Sequence, residues 1–144
     1  FLALCFNDTD TTNPAAFSDS ETYGKNLEKM ISDVRSAQAT PIVLTPTVVY
    51  RTEPDKSARH QQYAAVAVQT AEKMHCEVID LNRKFRAKIA ASPEKFFVLK
   101  RTESIPNWLD FDPVHLNENG AKLAAECIAQ IVKDEHLSAE ALFR

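Results

Sequence analysis

The sequence predicts one α/β domain, residues 1–144, layered as a sandwich about a parallel sheet. Three observations predict it. Short apolar runs alternate with stretches whose apolar residues recur at helical spacing, in the order strand, helix, strand, helix, strand, helix, helix. The runs are continuously apolar, as in strands covered on both faces. The segments between them are long enough for the crossover helices that parallel neighbours require.

Phe1 to Phe6 is the first such run and ends at Asn7-Asp8. "TDTTNPAAFSDS" is dense in turn formers and predicts a loop, with Ser18, Asp19 or Ser20 available to cap the next helix. That helix places Tyr23, Leu27, Met30, Ile31 and Val34 on one side. "TPIVLTPTVV" is the second strand, stopped by Pro46, and "YRTEPDKSARHQQ" reads as a polar loop. An alanine-rich helix follows to about Met74, with Ala64, Ala67, Val68, Ala71 and Met74 together. "CEVIDL" is the third strand, with Asp80 as cap of a short helix carrying Leu81, Phe85 and Ile89. "PEKFFVLK" fits helix or strand, and the last helix runs from about Asn119 to Lys133 with Leu123, Cys127, Ile128 and Ile131 inward.

The composition excludes several functions. A net charge of −3 offers no electrostatic case for nucleic acid or an anionic membrane. No apolar run approaches the ~20 residues needed to cross a bilayer. With only Gly24 and Gly120, the chain holds no glycine-rich phosphate loop. Cys5, Cys76 and Cys127 lie in apolar contexts at no metal-ligand spacing and read as buried thiols, leaving the compartment open. The opening "FLALCFND" lacks a methionine and is too short for a signal peptide, so the chain is expected to be the downstream part of something longer.

Ligands of open parallel sheets bind beyond the carboxyl ends of the strands. Asn7 and Asp8, then Thr45 to Thr47, then Asp80 fall at those ends, and Asp112 and His115 lie in the loop feeding the last helix. An aspartate three residues before a histidine can accept the ring's Nδ1–H, leaving Nε2 as a neutral base. Pro113 stiffens the turn between them. The Asn7 amide can donate to a developing oxyanion. The set has a base, its orienter and an oxyanion donor, but no nucleophile. Ser18-Asp19-Ser20 suits a helix start rather than a strand-to-helix turn. Plainer roles compete: an Asx turn for Asn7, a turn or cap for Asp112, a surface loop for His115. Asp8 and Asp10 read as loop formers, His60, His75 and His136 as surface residues, and no metal site is expected.

"LCFNDTD" with "DPVHLNENGAKLAAE" resembles the third and fifth blocks of the SGNH, or GDSL-type, hydrolases, serine esterases on a flavodoxin-like α/β/α sandwich. The resemblance makes Asn7 an oxyanion-hole donor and Asp112 and His115 the catalytic acid and base. The family's G-D-S serine block and its glycine donor precede the asparagine block and are not found in this chain. Three strands of a normally five-stranded sheet are therefore expected, the first strands missing. "PIVLTPTVVYR" and "EVIDLN" are closest to the rhamnogalacturonan acetylesterase-like branch, although Cys5 stands where that branch usually has glycine.

This implies an esterase that removes acetyl groups from a carbohydrate, without cofactor or metal, in a secreted or periplasmic setting, with its serine upstream. This chain alone would then be inactive. A lipid or thioester acylhydrolase, or a degenerate fold kept as a carbohydrate-binding or interaction module, are the alternatives. An exposed apolar first strand also implies pairing with a complementary N-terminal segment or another chain.

Overall fold

A computed structural model describes residues 1–3, 7–49, 54–99 and 111–143. Leu4 to Phe6, within the first expected strand, and with them Cys5, lie outside the described residues. The elements are β1 (Leu2–Ala3), α1 (Ser20–Ser36), β2 (Ile42–Leu44), α2 (Pro54–Lys73), β3 (Glu77–Ile79), α3 (Leu81–Ile89), β4 (Phe97–Leu99), β5 (Phe111–Leu116) and α4 (Glu118–Asp134). Short 3₁₀ turns cover Pro93–Phe96 and Ser138–Phe143.

The sheet β1-β2-β3 is parallel, with Leu2 beside Val43 and Leu44 beside Ile79. Its residues alternate between two cores. Val43 joins Tyr23, Leu27, Ile31, Tyr63, Ala67 and Ala71 from α1 and α2. Ile42 and Ile79 join Phe85, Ile89, Cys127, Ile131 and Val132 from α3 and α4. A strand sends successive side chains to opposite faces, so an unbroken apolar run needs a helical layer on each side. The three-layer α/β/α sandwich is the result.

Asp19 caps α1, its carboxylate accepting from Thr22 N at 2.7 Å. Asp80 caps α3 through Arg83 N at 3.1 Å. Both capping roles agree with the sequence reading.

Three readings are corrected and one left open is resolved. The stretch expected as a polar loop is helical from Pro54 onward: Pro suits the first helical turn, and Asp55 follows it there. His60, expected at the surface, is 1% exposed, because it lies on the α2 stripe that continues through Tyr63, Ala64, Ala67 and Ala71. The ambiguous "PEKFFVLK" divides into a 3₁₀ turn and β4. The loop expected around Asp112 and His115 is strand β5, antiparallel to β4, so a two-stranded sheet joins the expected order. Cys127 is buried as expected, whereas Cys76 is only partly so.

Candidate active site

The loop that begins at Asn7 folds on itself. Asn7 O accepts from Asp10 N at 3.1 Å, and Asp8 O accepts from Ser18 N at 3.2 Å. The Asp10 carboxylate accepts from both the backbone N–H and the hydroxyl of Thr12, which lowers its pKa. This matches the loop-forming role expected of Asp8 and Asp10. Helix α2 holds the loop from outside: Arg59 Nε donates to Thr9 O at 3.0 Å, and the Tyr63 hydroxyl donates to Ser18 O. Thr9 is wholly buried while Asn7 is exposed, so the loop turns its asparagine outward from an anchored base.

The β4–β5 ladder pairs Phe97 with Leu116 and Leu99 with Phe111, so the register shifts between them. The excess residues fall on β5, across the Asp112–His115 segment. Pro113 has no N–H to donate, and a bulge is where a strand tolerates that. Leu116 packs on the core beside buried Phe97, while His115 is exposed. The Asp112 side chain lies outside the described residues.

Two residues past His115, Asn117 fixes where β5 ends and α4 begins. Its side-chain oxygen accepts from Gly120 N at 3.0 Å, and its Nδ2 donates to Lys95 O and Phe97 O, each at 2.9 Å. One amide thus caps α4 and ties it to the strand beside His115. The sequence reading did not single out Asn117, although an Asn immediately before an apolar-striped helix, followed by an acidic residue in the first turn, is a cap signal.

A second polar knot fixes the rim after β2. Thr45 Oγ1 accepts from Asn82 N at 2.9 Å and donates to Asp80 Oδ1 at 3.3 Å. The Asn82 Nδ2 group donates to Pro46 O and Thr47 O, at 3.2 and 3.3 Å. Thr45 and Asn82 are both buried, so these bonds satisfy groups that water cannot reach. Asn7 and His115 therefore sit on separately braced segments, one at the β1 rim and one on the hairpin.

Comparison with known proteins supplies the class. The profile of the GDSL-like lipase/acylhydrolase family matches residues 1–123, and the chain belongs to that family. No curated protein sequence matches it. Among solved structures, the fold is similar to an acetylxylan esterase from Geobacillus stearothermophilus, at 18% identity and a TM-score of 0.69, covering 90% of this chain and 57% of that one. It is also similar to LAE5, an alpha/beta hydrolase enzyme from the metagenome of Lake Arreo, Spain, at 19% identity and a TM-score of 0.67, covering 91% and 57%. The chain thus spans a little over half the length of these neighbours. Solved catalytic mutants of the Geobacillus esterase replace a serine, an aspartate, and a histidine three residues after that aspartate.

Proposed function

We propose that these residues supply the acid, base and oxyanion donor of an SGNH-type serine esterase that removes acetyl groups from a carbohydrate. The observation that carries this reading is the Asp112–His115 segment of β5, which bulges from the ladder and is anchored by Asn117, with the spacing of the aspartate and histidine replaced in the Geobacillus catalytic mutants.

In this mechanism His115 takes the proton of a serine outside these 144 residues as that oxygen attacks the acetyl carbonyl. Asp112 holds the imidazole and stabilises its cation, and the Asn7 amide donates to the tetrahedral oxyanion. His115 returns the proton to the departing sugar oxygen, which leaves the serine acetylated; water, deprotonated by His115, then attacks this ester and releases acetate as the serine oxygen regains its proton. The α2 anchors on the Asn7 loop support the oxyanion role, because a donor must be positioned before charge develops.

The test is release of acetate from acetylated xylan and pectin, against long-chain esters, by the longest protein carrying this chain. Turnover on acetylated saccharides that His115→Ala abolishes supports the reading. Preference for long-chain esters moves the substrate to lipids, and binding without turnover makes the chain a carbohydrate-binding module.

Among the described strands β1 is an edge, paired to β2 alone. We propose that a further strand, from a complementary segment or another chain, pairs with it. Light scattering showing a well-folded monomer of these 144 residues would contradict this.

A further inference from the structure

A pocket of about 220 Å³ opens beside the carboxyl ends of β2 and β3, where ligands of open parallel sheets bind. It lies between α2 and α3, and its described lining includes neither Asn7 nor His115. Its size is below the roughly 300–1,000 Å³ of pockets for drug-sized ligands, so it suits one small ring. Val48, Val49 and Ile89 supply buried apolar wall. Gln61, on α2, and Arg86, on α3, bring the polar groups.

The charge is one-sided. Arg86 contributes a cation, and no described lining residue is acidic. Its guanidinium is oriented, since Arg86 Nη2 donates to Asn82 Oδ1 at 2.5 Å and Asn82 is itself fixed to the 45–47 rim. Buried His60 senses the same field: burial first, then Arg86 and Lys56, push its pKa down to about 4. It is therefore neutral near pH 7. A concave apolar wall with an oriented guanidinium, and no carboxylate among its described lining residues, is complementary to an anion on an apolar body.

We propose that this pocket binds a small organic carboxylate with an apolar ring, its carboxylate paired with Arg86. Its occupancy is read without any turnover, so this reading and the catalytic one can each fail alone.

The test follows nuclear magnetic resonance shifts of the full chain titrated with four probes: benzoate, cyclohexanecarboxylate, benzyl alcohol and glucuronate. Benzoate and cyclohexanecarboxylate should shift the Val48 and Val49 methyls and the Gln61 side-chain amide saturably. The bound anion should also raise the His60 pKa. Benzyl alcohol, without the charge, and glucuronate, without the apolar body, should each bind at least about tenfold more weakly. Arg86→Gln should weaken benzoate by a similar factor. Gln61→Glu, at an exposed helix position, should do so by adding a like charge. No saturable shift with benzoate, equal binding of benzyl alcohol, or unchanged affinity in both variants overturns the proposal. Glucuronate binding as tightly as benzoate overturns its apolar half.

Discussion

Gly120 packs directly on the carbonyl oxygen of Phe96: a Cβ at residue 120 would collide with that oxygen and crowd the Leu116 side chain. This contact brings the first turn of α4 against the backbone entering β4, beside the strand that carries His115. Its glycine is needed for close approach, not for an unusual φ.

Gly120→Ala therefore sets two effects against each other. Helix propensity favours alanine by about 1 kcal/mol, while forcing a methyl into packed backbone costs about 3 kcal/mol. The steric term wins, so chemical denaturation should show a net loss of about 2 kcal/mol. Unchanged or raised stability would mean that α4 does not seat on Phe96.

His60 makes the fold acid-sensitive. Its pKa is about 4 when folded, against an ordinary value of 6.5. Above that ordinary value both states are neutral and the residue contributes no pH dependence. As pH falls through the window from 6.5 to about 4, the unfolded chain takes up a proton that the folded chain refuses, and stability declines. The full loss is on the order of 3 kcal/mol. Denaturation series at stepped pH should show this decline, and His60→Gln should flatten it.

Tyr63→Phe removes only the hydroxyl that donates to Ser18 O. A single hydrogen bond of this kind contributes about 1 kcal/mol. The expected result is a loss of that size, with faster amide exchange in the 8–18 loop than in α1. Equal exchange in both segments would show that α2 does not hold the loop.

Under the proposed mechanism, His115→Ala in the longest protein carrying this chain should reduce kcat by several orders of magnitude, since the proposed base is lost. Asp112→Asn should cost about 10⁴-fold, by favouring the wrong tautomer. Near-normal acetate release from His115→Ala would end the mechanism.

The alternating layers are legible in the sequence because their signals are local. The apolar run at Ile42 to Leu44, the 3.6-residue stripe through Tyr23, Leu27 and Ile31, and the caps Asp19 and Asp80 each act within one segment. The sequence also identified the family, through the asparagine block and the D-x-x-H block.

Other features depend on segments distant in the chain. The early turns of α2 look polar, and His60 reads as a surface residue until the rim after β2 and helix α3 close around it. Phe97–Leu99 becomes a strand only because Phe111–Leu116 pairs with it. Asn117 becomes a brace only because Lys95 O and Phe97 O come within reach of its amide. Periodicity records which face of a segment is buried, but not what buries it, and the setting of His115 depends on the latter.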